Sequence, residues 1–214
     1  MSEYSRPPAE MPADQIIESW LPRAFEAASR RLPPNSPLVR VTLSGPGGGT
    51  WDVCVSDDTL IVQRREPGAH GRSGPHADPD TWLRQSAADF LALFRDDPDL
   101  PVLLPPNTDV MDLLRVDESK IDLLAHIDGR IAVEIQGRRR RRWGLDVAFG
   151  PAGMRAGRPR STVRVDSHTC EELSKGTLAV LQALLAGRLQ VEGDRALVMQ
   201  VVMLAGAAQG SRLL

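Results

Sequence analysis

The sequence predicts an α+β protein: two copies of one β-rich unit in series, with an extra helix in front. Three observations carry this. Short segments alternate apolar and polar residues between turn-formers. The same succession of segments occurs twice. The chain then closes on Gly187 to Leu204 (GRLQVEGDRALVMQVVML), which reads as a strand, a tight turn and an apolar helix.

The N-terminal segment holds Pro7, Pro8 and Pro12, so residues 1–13 are expected to be loose and disordered. They contain no apolar stretch of the kind a signal peptide needs. Asp14 can cap a helix running to about Arg31, because Ile16, Ile17, Trp20, Leu21, Phe25 and Ala28 recur at three- and four-residue spacing. Pro22 lies inside that pattern and predicts a kink or a restart. Pro33-Pro34 ends the helix.

Strands follow. Val39, Val41 and Leu43 alternate with polar residues; SGPGGGT (44–50) is a hairpin loop; Trp51, Val53 and Val55 alternate again. Asp57-Asp58 turns the chain into a third strand with Leu60 and Val62. Residues 66–80 are turn-formers. Thr81 to Gln85 reads as a fourth strand, and Ser86 caps a helix over 87–95. Residues 96–109 read as irregular, Met111 to Val116 as a strand and Ser119 to Ile127 as a helix. The order then recurs. Ile131, Val133 and Ile135 alternate; Gly137 and five arginines turn the chain; Trp143, Leu145 and Val147 alternate; Pro151-Ala152-Gly153 turns; Thr162 to Asp166 is a strand; Ser167 caps a helix.

The repeat is visible in spacing. A tryptophan stands twelve positions after the first strand residue in both copies (Val39 to Trp51, Ile131 to Trp143), with Gly45 and Gly137 at matching places. Leu83 to Ser86 lies opposite Arg164 to Ser167, and Arg115 to Lys120 opposite Gln190 to Arg195. An apolar helix follows in each. The reading is residues 14–128 for the N-terminal helix and first copy, and 129–214 for the second.

Composition excludes several function classes. Net charge is −2 and aromatics are 4%, so neither a basic field nor a stacking platform favours nucleic acid. Cys54 and Cys170 are too few for a disulfide framework and read as small buried hydrophobes. The run Ala196 to Ala208, broken by Gln200 and Gly206, is shorter than the roughly 20 residues that span a bilayer. A cytoplasmic location is expected. GPGGGT lacks the lysine and helix of a phosphate-binding loop. His70 and His76 have no cysteine or third histidine beside them, so no metal is expected. His126 and His168 read as helix-end residues. No nucleophile motif is present.

Each copy resembles the sterol carrier protein type-2 family of nonspecific lipid-transfer proteins. The first copy carries GGGTWDVCVSDDTL, DPDTWLRQSAADFLALF and RVDESKIDLLAHI; the second carries RRWGLDVAFG, STVRVDSHTCEELSKG and LLAGRLQVEGDRALVMQVV, of which GRLQVEGD is the most specific match. The first copy departs there, with Asp117-Glu118-Ser119 in place of the Gly-Asp turn. The resemblance implies a curved, mostly antiparallel sheet covered by helices on one face. Between the layers lies an apolar tunnel for fatty acyl chains, sterols or other lipids, with no catalytic residues and no cofactor.

The expected function is therefore non-catalytic binding or transfer of hydrophobic ligands, including isoprenoid-like molecules. Leu181, Leu184, Leu185, Val198, Met199, Val202 and Met203 are the expected cavity lining. Burial of a hydrocarbon contributes about 0.8 kcal/mol per methylene without polar anchors. Arg138, Arg139, Arg140, Arg141 and Arg142 could dock on anionic head groups of a membrane surface. The alternative is a scaffold or accessory subunit of a biosynthetic complex, its cavity filled by its own side chains, with a homodimer or an enzyme as partner. A cyclase- or isomerase-type activity is a third reading, for which the sequence names no acid or base.

Overall fold

The computed structural model describes residues 6–28, 37–66, 78–104 and 118–210, the side chains of 118–120 and 205–210 excepted. The expected strand at 111–116, the end of the first helix at Pro33-Pro34, His70 and His76 lie outside the described residues.

Eight strands form one mixed sheet: β1 Val39–Ser44, β2 Gly49–Ser56, β3 Thr59–Arg65, β4 Thr81–Ser86, β5 Gly129–Gln136, β6 Arg142–Phe149, β7 Ser161–Asp166 and β8 Gln190–Gly193. Their order is β3-β2-β1-β4-β6-β5-β7-β8. β4 lies parallel to β1 and β7 parallel to β5; the other neighbours are antiparallel. The fold class is α+β with a mostly antiparallel open sheet.

The registers sort the side chains by face, since paired residues share a side. Val41 pairs Trp51, Val53 pairs Val62, Thr81 pairs Phe149, Ile131 pairs Val147, Ile135 pairs Trp143 and Val163 pairs Val191. All belong to one apolar face. The alternate residues, among them Arg40, Asp52, Arg84, Arg130, Glu134, Asp146 and Arg164, belong to the other.

Helices cover the apolar face. The N-terminal helix comprises α1 Ala13–Gln15, a π-helical turn Ile16–Trp20 and α2 Leu21–Ala27. The irregularity expected at Pro22 takes the form of a restart: α2 begins at Leu21 with Pro22 in its first turn, directly after the π-helical turn. The wide turn, closed by Leu21 N–H to Ile16 O, stands just ahead of the residue that has no N–H to give. Ile16, Trp20, Ala24 and Phe25 pack with Leu60 and Leu104. Ala13 and Ile17 pack with Leu43, Trp51 and Ala87. Trp51 is 0% exposed, and its indole N–H donates to Glu18 Oε1 at 2.7 Å. Asp14 is not the cap as expected: Pro12 occupies that place, and Asp14 sits in the first turn. Nor are residues 6–12 loose. Pro7 is buried, the Met11 N–H donates to Pro8 O, and Met11 O accepts from Arg95 at 2.7 Å.

Five further helices are α3 Ala87–Leu91, α4 Glu118–Ala125, α5 Gly150–Arg155, α6 Ser167–Ser174 and α7 Val180–Leu185; α8 Arg195–Gly210 ends the described chain. Ser86 caps α3, accepting the Asp89 N–H. The cap of α6 is Asp166, not Ser167, because the Asp166 carboxylate accepts both the N–H and the hydroxyl of Thr169. Counted from the first residue of each strand, Ser86 of β4 and Asp166 of β7 hold the same place, as do Arg84 and Arg164. Residues 150–155 form a helix, α5, rather than the expected turn. Gly150 has φ +61 and opens it, and Asp128 Oδ1 accepts the Ala152 N–H at 2.7 Å.

Candidate functional site

The turn before α8 is built by its own residues. Gly193 has φ +93, and a Cβ there would meet Arg160 O at 2.1 Å, so only glycine fits. Asp194 Oδ1 accepts the N–H groups of Ala196 and Leu197, capping α8. Arg160 Nη2 donates to Asp194 Oδ2 at 2.7 Å, and Ser161 Oγ to Asp194 O at 2.7 Å. The GRLQVEGD motif thus fixes where α8 leaves the sheet.

From that turn α8 runs over β5 and β7 beside α7. Leu197, Val198 and Val202 pack with Ile127, Ile131 and Phe149. Beside them Ile135, Trp143, Val165, Cys170, Ala183 and Leu189 form an adjoining cluster, and Leu184 touches both. The seven expected lining residues divide. Val198 and Val202 are buried, and Leu184 and Met199 are half-buried. Leu181, Leu185 and Met203 face outward, at 47%, 76% and 55% exposure. The helices therefore carry apolar residues on both sides, one facing the sheet and one facing solvent.

The five arginines are not equivalent. Arg138 to Arg140 form a 3-10 turn at the β5–β6 tip, with Arg139 and Arg140 at φ +48 and +64. Arg138, Arg139, Arg140 and Arg142 are exposed. Arg141 folds inward, 2.8 Å from Asp89 and 3.2 Å from Asp97. Burial would lower its pKa, but the two carboxylates outweigh that and raise it above the ordinary arginine value. Arg141 is thus a pin between the two halves of the sheet.

Cys170 is buried; Cys54 is half-buried on the polar sheet face, against the expectation that both are core residues. His126 Nδ1 lies 2.6 Å from Asp122 O, and His168 lies 3.6 Å from Glu172 one turn along α6. Among the described residues no group of three His, Cys, Asp or Glu side chains could hold a metal. No described helix is long and apolar enough to cross a membrane.

The polar sheet face escaped the sequence reading. It is a lattice of ion pairs. Asp52 accepts from Arg40 at 2.7 Å and Arg65 at 2.6 Å. Burial pushes the Asp52 carboxyl up, but these guanidinium groups outweigh it and hold it below the usual range. Arg130 chelates Asp146, and Arg164 bridges Glu134 and Glu192. The signal was present, since most alternate positions of these strands are polar or charged.

Residues 110–206 match the model of the SCP-2 sterol transfer family. No curated protein matches the chain. Among solved structures, sterol carrier protein 2 like 2 from Aedes aegypti is 21% identical and matches over 44% of this chain and 95% of its own, with TM-score 0.28. The sterol carrier protein domain 2 of Helicoverpa armigera is 17% identical over 42% and 76%, with TM-score 0.32. A UbiJ-SCP2 ubiquinone synthesis protein is 12% identical over 94% of this chain and 97% of its own, with TM-score 0.25.

Proposed function

We propose that this protein binds hydrophobic ligands without catalysis, between the apolar sheet face and the α7–α8 layer. One observation carries the reading. The stretch matched by the SCP-2 sterol transfer model, 110–206, contains β5 to β8, α7 and most of α8. Those elements form one apolar layer around Ile131, Phe149, Val198 and Val202. Fatty acyl chains, sterols and isoprenoid-like molecules fit such a layer, because apolar burial is non-directional. Leu184, Val198, Met199 and Val202 would meet the ligand, with Leu181, Leu185 and Met203 at its entrance. The exposed Arg138, Arg139, Arg140 and Arg142 would attract an anionic membrane surface during loading.

The duplication belongs to the same proposal. β4 is flanked by parallel β1 and antiparallel β6; β7 is flanked by parallel β5 and antiparallel β8. Val39 pairs Thr81 as Ile131 pairs Ser161, and both runs end at a capping residue. Two copies that join edge to edge, each filling the place of a strand in the other, account for this order.

Native mass spectrometry of the protein as purified, together with displacement of a fluorescent fatty acid, tests ligand binding. A co-purified hydrocarbon or saturable displacement supports it. A folded protein that extracts no lipid and displaces no probe defeats it.

A second reading, an accessory subunit that docks a partner protein, is favoured by the outward Leu181, Leu185 and Met203. A triple serine variant at these positions separates the two. Unchanged fatty-acid displacement with lost self-association or partner binding favours docking; impaired displacement favours the entrance role.

A further inference from the structure

The sheet is continuous through β4 and β6, but only as far as Arg84, which pairs with Asp146. Beyond that row the strands part, as β4 runs into α3. An open groove of about 510 Å³ lies there, lined by residues of β1, β4, β5 and β6 together with Asp89 of α3. It opens mainly on the polar face, away from the α7–α8 layer. Its volume falls within the range of small-molecule sites, roughly 300–1,000 Å³.

One arginine in this groove stands apart from its ion pairs. Each carboxylate lining it already has a cation. Asp89 is held by Arg141 at 2.8 Å, Glu134 by Arg164 at 2.9 Å, and Asp146 gives both oxygens to Arg130. Arg84 has no acceptor among the described residues. Its guanidinium lies flat on the Trp82 ring, 3.5 Å from the centroid. Trp82 is itself fixed by its N–H to Thr42 Oγ1 at 2.9 Å. Stacking holds the guanidinium plane and leaves its five N–H donors at the edge, free for hydrogen bonds.

The same sheet supplies a comparison. Arg164 of β7 faces Glu134 on the parallel neighbour β5, and the two are ion-paired. Arg84 of β4 faces Thr42 on the parallel neighbour β1. One register position carries an acid in the second half and a hydroxyl in the first; the other neighbour of Arg84, Asp146 on β6, is hydrogen-bonded by Arg130, so Arg84 has no hydrogen-bonded acid. Gly144 borders the groove on β6, and a Cβ there would meet nothing within 4 Å.

We infer that the groove between β4 and β6 binds the oxyanion group, carboxylate or phosphate, of a small soluble molecule, with Arg84 as its charged anchor. Arg84 is supported in that role by its surroundings. Burial and the nearby Arg130 push its pKa below the ordinary arginine value, Asp146 opposing them, and an anion bound at its edge would oppose them further. The site is separate from the proposed hydrophobic layer and does not depend on it.

The test is a ¹H–¹⁵N titration of the full chain with inorganic phosphate and, separately, with succinate, each against sodium chloride at matched ionic strength. Binding predicts saturable shifts of the Arg84 Nε–H, the Gly144 amide and the Trp82 indole. Phosphate alone giving them identifies a phosphate-bearing ligand; succinate alone identifies a carboxylate. Arg84→Gln should raise the apparent Kd at least tenfold with a native spectrum. Gly144→Val, which keeps the guanidinium but fills the groove, should do the same. Absence of saturation with either anion overturns the site, as do shifts equal to those from chloride or unchanged affinity in folded Arg84→Gln.

Discussion

Arg141 lies 2.8 Å from Asp89, across the boundary between the first four strands and the last four. The same α3 residue offers its backbone carbonyl to the Trp143 indole N–H at 2.7 Å. Asp89 thus holds one arginine and one tryptophan of the β5–β6 hairpin. Removing the guanidinium leaves a carboxylate that is mostly shielded from water. Arg141→Ala should cost about 1–2 kcal/mol, allowing for partial solvent screening. Arg140→Ala, at the exposed tip, should cost less than about 0.5 kcal/mol. Urea denaturation distinguishes them, and equal effects would refute the pin.

Gly193→Ala should cost about 2–3 kcal/mol. It adds strain at a positive φ and drives a Cβ toward Arg160 O. Asp194→Ala should cost about 1 kcal/mol through the lost cap. Thermal unfolding measures both, and a larger loss for the aspartate variant would reverse the ranking.

Val198→Ala should cost about 1–2 kcal/mol, because the side chain is buried among Ile131, Phe149 and Val202. Leu185→Ala, at 76% exposure, should leave the midpoint within about 0.5 kcal/mol. A comparable loss at Leu185 would mean that the outward side of α7 is covered in solution.

The Cys170 thiol is pushed up to about 11, first by burial and then by Glu171 and Asp166. At pH 8 that leaves about one part in a thousand as thiolate. Native protein should react with a disulfide reagent at Cys54 alone, and at Cys170 only after unfolding. Two equivalents reacting rapidly in the native state would contradict this.

Asp166 contributes to the acid limb of stability, beside Asp52. Burial raises its carboxyl, but the Thr169 N–H and hydroxyl and the His168 N–H outweigh it, holding it below 3.8. A depressed carboxyl stabilises the fold above the unfolded value and loses that contribution as pH falls through the folded one. Stability should therefore decline below about pH 4. Asp166→Asn, which can still cap α6, should flatten the decline. Urea midpoints from pH 6 to pH 2.5 measure it; parallel curves for the two proteins would reject it.

Period-two alternation placed β1 to β7 within a residue or two, because a one-residue slip would bury the charged face. The tight turn before α8 was legible because Gly193 and Asp194 act locally. Three features were not. Asp166 and Ser167 can both cap, and the choice between them depends on which strand residue still pairs with β5. The π-helical turn before Pro22 depends on packing along the whole N-terminal helix. Inward Val198 and outward Met203 look alike in a helix apolar all round, and only the sheet beneath separates them. Arg84 was harder still: its lack of a hydrogen-bonded acid follows from Thr42 standing where the other parallel pair has Glu134, and from Arg130 holding Asp146, facts about strand neighbours far apart in the chain.

The union of β4 with β6 rests on four residue pairs, Thr81 to Arg84 against Asp146 to Phe149. Severing the chain at Asp128 would bare a raw strand border on each fragment, with backbone amides seeking new company. Neither piece should survive alone as a tidy monomer. Mixed together, the two should reassemble by zipping those borders shut, so the molecule's natural unit is the pair of halves.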